Sequence, residues 1–128
     1  MQLGYLVARA YASYAQLPIK DAILTVYTNE GDEQKLIGVR LTDENGKTLP
    51  IPIEAPDKEL STSPGNSDSY AVVNLRVDHP DYNTFYAQNV QVFAGQVSVQ
   101  NAEMIPTAEH IPYDRKADFY YIESNNLN

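Results

Sequence analysis

Apolar and polar residues alternate with a period of two along several stretches of the chain, which is the pattern of β-strands that bury one face. The first stretch, residues 4–14, lacks the capping residue with which a helix usually begins, so a strand is favoured there. Similar alternation follows at 22–27 and 70–77. The residues predicted to face inward in these strands are Leu6, Ala8, Ala10, Ala22, Leu24, Val26, Val73, Leu75 and Val77.

A β-hairpin is predicted for residues 36–53, with the chain reversing at the sequence DENG of 43–46. Asparagine followed by glycine tolerates the positive φ angles that such turns require. Pro50 and Pro52 donate no backbone hydrogen bond, so the second strand of the hairpin is predicted to lie at a sheet edge. The apolar face of the hairpin is predicted to consist of Ile37, Val39, Leu41, Leu49, Ile51 and Ile53.

The remaining strands are predicted at 89–93 and 97–105. In the last of them the apolar positions change parity, from Val97 and Val99 to Ala102 and Met104, which indicates a β-bulge near 100–101. Seven short strands joined by turns favour an all-β fold, a seven-stranded antiparallel β-sandwich, over a βαβ arrangement.

One β-sandwich domain is predicted over residues 1–106, followed by a C-terminal tail or linker at 107–128. The periodicity ends after residue 106, and most of the tail is polar. The exception is an apolar cluster, which we expect either to dock on the sandwich or to contact another chain. The residues of this predicted tail contact are Phe119, Tyr120, Tyr121 and Ile122.

Composition limits the classes of partner. The 128-residue chain has a formal net charge of −8, which repels nucleic-acid phosphates and anionic lipids. It has no cysteine, which excludes disulfides, zinc–thiolate sites and thiol catalysis. No stretch approaches the ~20 apolar residues of a membrane-spanning helix, and the first residues lack the basic region of a secretory signal. We therefore expect neither nucleic acid nor membrane insertion, while localisation and oligomeric state stay open.

Four short strings lie at the predicted strand ends: LPIKDA at 17–22, LTDENG at 41–46, DHPDY at 78–82 and VFAG at 92–95. Their order and spacing resemble the carboxypeptidase-regulatory-like module, a seven-stranded sandwich of the transthyretin (prealbumin) type. In that family a proline-containing segment leads into the second strand, and a Thr-Asp-x-x-Gly turn follows the third. The Gly-Tyr pair that commonly precedes the sixth strand of the family corresponds here to Asp81 and Tyr82.

A second set of strings is similar to one version of that module. They are IEAP at 53–56, SPG at 63–65, VSVQN at 97–101 and IP at 105–106. The version they resemble occurs in spore cortex-lytic and related peptidoglycan-associated proteins of clostridia. The resemblance covers about residues 4–106. It implies an accessory or interaction module without catalytic residues of its own, in a cell-wall or spore setting.

The sequence offers little catalytic or metal-binding chemistry. His79 lies in a DHPD string that a turn at a strand end explains, and no serine lies in a nucleophile motif. Asp43 and nearby acids offer oxygen atoms to a calcium ion, but their spacing is not that of an EF-hand. Asp43 is better interpreted as an acceptor for the backbone amides of its own turn. We therefore predict no catalytic residue, no metal, no cofactor and no enzymatic activity.

Tyrosine is the most suggestive residue type, with ten tyrosines against three phenylalanines and no tryptophan. Tyr5, Tyr11 and Tyr27 are predicted on the outward faces of the first two strands, where they either recognise a ligand or lie covered by Arg9 and other polar neighbours. The predicted function is an interaction or accessory module with a protein or glycan partner. The alternatives are a carbohydrate-binding module that uses these tyrosines and an adhesin- or pilin-like structural unit that assembles through its edges.

Overall fold

The computed structural model describes residues 2–56 and 70–107, which form seven β-strands. The sixth strand begins at Tyr82 and not at residue 89, because Phe85 and Ala87 continue its alternation as half-buried residues. The strands are β1 (Gln2–Ala12), β2 (Ile23–Glu30), β3 (Glu33–Leu41), β4 (Ile51–Ala55), β5 (Tyr70–His79), β6 (Tyr82–Phe93) and β7 (Val97–Met104).

Two sheets pack face to face as a β-sandwich, one with the strand order β4-β1-β7 and the other with the order β3-β2-β5-β6. Neighbouring strands are antiparallel except β1 and β7, which run parallel with Tyr5 opposite Val97 and Ala12 opposite Met104. The predicted all-β, seven-stranded sandwich is confirmed. The parallel pair joins the first of the described strands to the last. Parallel strands need a long connection between them, and here the intervening strands supply it.

The hydrophobic core fills the space between the sheets. The inward residues predicted for β1, β2 and β5 are all buried, which confirms those three alternation patterns. The alanines of β1 are small, so they leave room for larger side chains from the facing sheet. The largest fully buried side chains are Leu6, Leu24, Ile51, Leu75, Met104, Val26, Val73, Val77 and Val92.

The hairpin predicted for residues 36–53 is wrong, because its two strands lie in different sheets. β3 pairs with β2 in the four-stranded sheet, whereas β4 pairs with β1 in the three-stranded sheet, with Leu6 opposite Ile51. Residues 42–50 therefore cross from one sheet to the other. The prediction of an edge position is confirmed, since β4 is an outer strand of its sheet.

The turn at 43–46 is nevertheless formed as the sequence predicts. Gly46 has a positive φ of 76°. The Asp43 carboxylate accepts hydrogen bonds from the backbone N–H groups of Asn45 (2.8 Å) and Lys47 (3.0 Å), as expected for an aspartate that stabilises its own turn.

This turn docks on β1, which explains why it does not close a hairpin. The N–H of Ala10 donates to the carbonyl of Gly46 (2.7 Å), and the N–H of Thr48 donates to the carbonyl of Ala8 (3.0 Å). The buried Thr48 hydroxyl accepts a further hydrogen bond from the N–H of Ala8 (3.0 Å). The backbone groups of the crossing segment thus find partners on β1 and not on β3.

The face predicted to be apolar and inward on β3 is also wrong in part, because Val39 and Leu41 are exposed. Gly38 and Thr42 lie on the inward side instead. An added Cβ at Gly38 would lie 3.0 Å from Cγ2 of Ile51, so glycine allows β4 to pack closely here. The Thr42 hydroxyl donates to the carbonyl of Ile19 (2.6 Å), which satisfies it although it is buried.

The β-bulge predicted near 100–101 in β7 is wrong. β7 pairs with β1 in one continuous register from Val97 to Met104. The parity of the apolar residues changes because Val97 and Val99 face outward, whereas Ala102 and Met104 face the core. A bulge does occur elsewhere, in the pairing of β2 with β3, where the register shifts between Val26 and Tyr27.

The end of the described chain closes one corner of the sandwich. The turn between β5 and β6 follows His79, whose Nδ1 accepts a hydrogen bond from the N–H of Asp81 (3.1 Å), as expected for a turn at a strand end. The N–H of Asn83 donates to the carbonyl of Ile105 (2.8 Å), and that of Thr107 donates to the carbonyl of Asp81 (3.0 Å). Residues 105–107 therefore run beside the start of β6.

Candidate functional site

The outward face of the three-stranded sheet carries the first candidate site, which we call the β1–β7 face. Strand alternation directs four side chains of β1 to this face, and the parallel register sets four side chains of β7 beside them. These residues are Tyr5, Val7, Arg9 and Tyr11 on β1 and Val97, Val99, Asn101 and Glu103 on β7.

An open cleft of about 690 Å³ lies on this face. Two connecting segments form its walls, one that follows β1 and one that contains the docked turn. A smaller pocket of about 90 Å³ adjoins it and shares Arg9 and Asn101, with Tyr11 and Gln16 completing its lining. The residues that line the larger cleft, called the β1–β7 cleft below, are Val7, Arg9, Pro18, Asn45, Lys47, Val99 and Asn101.

Backbone hydrogen bonds to β1 hold the wall that contains Pro18. The N–H of Ala12 donates to the carbonyl of Leu17 (2.8 Å), and the N–H of Ile19 donates to the carbonyl of Ala10 (3.0 Å). The opposite wall is tied to β1 through Gly46, as described above. Both walls are therefore preorganised before any ligand arrives.

Two cationic side chains meet at the cleft. Arg9 and Lys47 are backbone neighbours across an antiparallel bridge, and the Arg9 guanidinium lies 5.6 Å from the centroid of the Tyr11 ring. Elsewhere in the described residues Lys35 pairs with Glu30 (3.8 Å) and Arg76 with Asp78 (3.1 Å). No carboxylate of residues 2–56 or 70–107 forms an ion pair with Arg9 or Lys47. The cleft is thus locally positive in a protein whose net charge is −8.

The three predicted tyrosines do not share one surface. Tyr5 and Tyr11 lie half-buried on the β1–β7 face, whereas Tyr27 lies on the outward face of the other sheet, opposite Asn74. Their outward orientation is confirmed. Arg9 lies over the Tyr11 ring, in the way that the alternative of ordinary covered surface describes. A role in recognition for these tyrosines stays a prediction.

Sequence reasoning missed the residues of the cleft that lie outside β1, among them Asn45, Lys47, Val99 and Asn101. Lys47 and Asn45 reach the cleft only because their turn docks on β1, and this long-range contact leaves no local pattern. A signal did exist for the other two. Val99 and Asn101 are separated by one residue on β7, so an uninterrupted alternation would have placed both on one outward face.

The second candidate site is an apolar surface at the edge of the four-stranded sheet, which we call the β3 surface. It consists of Leu36, Val39 and Leu41 on β3 and Ile23 on β2, with Ile23 directly opposite Leu41. Leu36 is 62% exposed and Leu41 is 60% exposed. The bulge pairs Leu36 with Tyr27, so Leu36 faces the same side as Val39 and Leu41.

The outer strands of the two sheets differ in how they are protected. Pro50 and Pro52 remove backbone donors at and beside β4, and residues 105–107 cover the start of β6. β3 contains no proline. Near the end of β3, the Arg40 guanidinium donates hydrogen bonds to the backbone carbonyls of Val39 (2.9 Å) and Pro50 (3.4 Å). The remaining outer strand, β7, contains no proline either, so the backbone edges of β7 and of β3 before Val39 are the less protected ones among the described strands.

Several predictions concern features that the described residues do not test. Phe119, Tyr120, Tyr121 and Ile122 lie outside the described residues, so the tail contact and the domain boundary at 106 stay predictions. Within residues 2–56 and 70–107, no group of three or more histidine and acidic side chains converges as metal ligands. In the same residues, no helix has the length and hydropathy to cross a membrane.

Comparison with known proteins gives likenesses among solved structures. No protein-family model matches the sequence, and no curated protein does. The chain is similar to 3-chlorocatechol 1,2-dioxygenase from Rhodococcus opacus 1CP, with 12% identity and a TM-score of 0.45 over 81% of this chain and 61% of that one. It is similar to a double mutant of shaft pilin SpaA from Lactobacillus rhamnosus GG, with 12% identity and a TM-score of 0.44 over 83% and 51%.

A mutant of catechol 1,2-dioxygenase from Acinetobacter radioresistens is also similar, with 16% identity and a TM-score of 0.44 over 86% of this chain and 54% of that one. The chain spans less than two thirds of the length of each of these structures. Such low identities concern the fold alone. They do not support the transthyretin, carboxypeptidase-regulatory, cell-wall or spore assignments, which rest on the resemblance of short strings.

The prediction that the chain is not an enzyme is wrong as it was drawn, because two of these similar structures are dioxygenases. Identity is low and coverage is partial, so the fold is only weakly tied to catalysis. We assign no enzymatic activity to the chain.

Proposed function

We propose that the domain is a protein-interaction module that joins other protein chains by adding a strand at β3. One observation carries this proposal: the β3 surface exposes four large apolar side chains on neighbouring strands at a proline-free sheet edge. An open edge presents unpaired backbone groups to an incoming strand, and the apolar side chains beside it gain from burial. This is the contact of a structural unit that assembles through its edges.

The partner we propose is a second copy of the chain. Two copies related by a twofold axis can pair their β3 edges antiparallel, which joins their four-stranded sheets and brings the two β3 surfaces side by side. Charge favours this edge over other parts of the surface. β3 carries Lys35 and Arg40 against Glu33, so it is locally less acidic than a chain with a net charge of −8.

Magnitudes indicate a weak association. Each large apolar side chain gains about 1.5 to 3 kcal/mol when it is fully buried. Four such side chains and one added strand cover less than the ~800 Å² per partner of a standard stable interface. We therefore expect a weak, reversible dimer with a dissociation constant in the range of about 10 μM to about 1 mM.

Sedimentation velocity of the full chain from about 10 μM to about 1 mM tests this proposal. We expect association that increases with concentration in the unmodified protein and is lost in Val39→Lys and Leu41→Lys. Leu49→Lys is the matched control, because Leu49 is 73% exposed but lies outside the β3 surface. Hydrogen exchange at β3 amides should slow as the concentration rises.

Two results would contradict the proposal. The first is a chain that stays monomeric at the highest concentration and shows no change in exchange at β3. The second is association that Leu49→Lys weakens as much as Val39→Lys does, because this would place the contact elsewhere.

The carbohydrate-binding alternative has less support from the geometry. Arg9 covers the Tyr11 ring, and Tyr27 lies on the sheet opposite to Tyr5, so the three tyrosines do not form one stacking platform. A cell-wall or spore setting stays a hypothesis based on the resemblance alone.

A further inference from the structure

The β1–β7 cleft holds two cations that lack an acidic partner among the described residues, although acidic side chains outnumber basic ones by seventeen to nine in the chain. The nearest acid in sequence is Glu44, which forms no ion pair with Lys47 among the described residues, and the carboxylate of Asp43 before it already accepts hydrogen bonds from two backbone amides of its own turn. Arg9 and Lys47 are therefore available to an anion from outside.

The position of the Arg9 guanidinium is restricted by its contact with the Tyr11 ring, 5.6 Å from the ring centroid. A cation that rests on an aromatic ring keeps its N–H groups free for an acceptor. Lys47 lies on the neighbouring backbone position, and its turn is fixed to β1. The two cationic side chains thus start from adjacent, fixed backbone positions, and the contact of Arg9 with Tyr11 restricts its guanidinium before a ligand binds, which lowers the entropic cost of binding one.

The rest of the cleft is apolar with two amide groups. Val7 and Val99 lie next to each other in the β1–β7 register, and Val99 is 62% exposed. Asn45 and Asn101 contribute side-chain amides at the walls. Cations beside an apolar floor and amide groups match a carboxylate with an adjacent apolar side chain and a peptide backbone.

We infer that the β1–β7 cleft binds a carboxylate of a polypeptide, held by Arg9 and Lys47, with a neighbouring apolar side chain on Val7 and Val99. The planar guanidinium fork fits the planar carboxylate in a bidentate manner. A sugar would need an uncovered aromatic ring, whereas the Tyr11 ring carries Arg9. The site lies on the sheet opposite to the β3 surface, so this inference is independent of the proposed strand addition.

The carboxylate has two sources in a polypeptide, the chain terminus and an acidic side chain. Three peptides separate them: acetyl-Ala-Ala-Leu with a free carboxyl terminus, the same peptide as its C-terminal amide, and acetyl-Leu-Glu-Ala amide. The first peptide offers a terminal carboxylate beside leucine. The second offers the same shape without the charge, and the third offers only a side-chain carboxylate.

Each peptide is titrated into the ¹⁵N-labelled full chain while nuclear magnetic resonance shifts are followed at Val7, Val99 and the side-chain amides of Asn45 and Asn101. We expect one or both carboxylate peptides to bind at least about tenfold more tightly than the neutral amide. High salt should weaken this preference, because exposed charges are screened.

Variants locate the contact. Arg9→Gln and Lys47→Met should each reduce carboxylate binding to the level of the neutral peptide, and Arg9→Lys should retain part of it because the charge stays while the planar fork is lost. Lys35→Met is the matched control, since Lys35 lies in the other sheet and pairs with Glu30. Arg9 and Lys47 are exposed, so unchanged spectra away from the cleft should show that the variants fold.

The result identifies or rejects the ligand class. Preference for the first peptide assigns a terminal carboxylate, and preference for the third assigns an acidic side chain. The inference is overturned if the neutral amide binds as tightly as both carboxylate peptides, if Arg9→Gln leaves binding unchanged, or if none of the three peptides shifts the resonances of the cleft.

Discussion

At the scale of single residues, local chemistry explains the turn that shapes the candidate site. Gly46 has φ of 76°, and an added Cβ would collide with the carbonyl oxygen of Ala10. Asp43 stabilises the same turn by accepting from the following amides. Both roles follow from the Asn-Gly sequence and from the position of the aspartate, so they could be predicted. The docking of the turn on Ala10 could not, because that contact joins residues distant in sequence.

Gly46→Ala should therefore destabilise the domain more than a positive φ alone explains. Backbone strain costs about 1 to 3 kcal/mol, and the collision with Ala10 adds an overpacking cost of about 1 to 3 kcal/mol. Gly31→Ala is the control, because Gly31 has φ of 63° but has no atom within 4 Å of an added Cβ. Urea unfolding should show the larger loss for Gly46→Ala. Equal losses would mean that the turn does not dock on β1.

Tyr82 predicts a dependence of stability on pH. Burial raises the pKa of its hydroxyl above the ordinary value of 10.0, and Tyr14 and then Asp81 raise this pKa further. The unfolded chain therefore loses this proton at a lower pH than the folded chain does. The stabilisation linked to Tyr82 is complete below about pH 10 and is lost as the pH rises through the folded-state pKa.

Unfolding by urea between about pH 8 and about pH 11 checks this prediction. Tyr82→Phe should reduce the loss of stability above pH 10, because the variant has no hydroxyl to ionise. Tyr86→Phe is the control, since Tyr86 is an exposed tyrosine on the same strand. A pH profile of Tyr82→Phe that follows the unmodified protein would exclude the assignment.

At the scale of elements, alternation predicted the strands well but not always the face that each one buries. In β1 the inward residues are apolar and the core follows directly from Leu6, Ala8 and Ala10. In β3 and β7 apolar residues face outward. The same rule therefore predicted the wrong inward face for β3 and predicted a bulge in β7 that does not occur. Alternation with a period of two shows which residues share a face of the strand. The sheet that the strand joins decides which face is buried.

Replacing Ile51 and Leu41 by alanine tests the corrected arrangement, because the sequence pattern treats both as members of one apolar face. Ile51 is 1% exposed and packs on Gly38 from the other sheet. Ile51→Ala should therefore cost about 2 to 5 kcal/mol. Leu41→Ala should change the stability by about 0.5 kcal/mol or less, since Leu41 lies on the surface. Similar costs in urea unfolding would instead favour the hairpin.

At the scale of the whole molecule, the sheet β4-β1-β7 gathers segments from the beginning, middle and end of the described chain. β1 lies at its centre, where it pairs with β4 on one side and β7 on the other. The same arrangement builds the β1–β7 cleft, since no single segment contains Arg9, Lys47 and Asn101. This explains why Tyr5 and Tyr11 could be placed on a face from sequence, whereas the cleft could not be recognised.

Because the first and last strands pair, we expect the sandwich to fold only as a complete unit. A chain that ends at residue 96 lacks β7, so β1 loses its parallel partner and the buried Ala102 and Met104 leave the core. Truncating one buried methionine to alanine costs about 2 to 5 kcal/mol, and loss of the whole strand should exceed the ~5 to 15 kcal/mol by which domains are usually stable. Circular dichroism should therefore show no cooperative thermal transition for residues 1–96.

A chain that ends at residue 107 keeps all seven strands and should unfold cooperatively, which also tests the predicted domain boundary. A sharp transition in the shorter chain would mean that the other six strands form a stable domain without the β1–β7 pair.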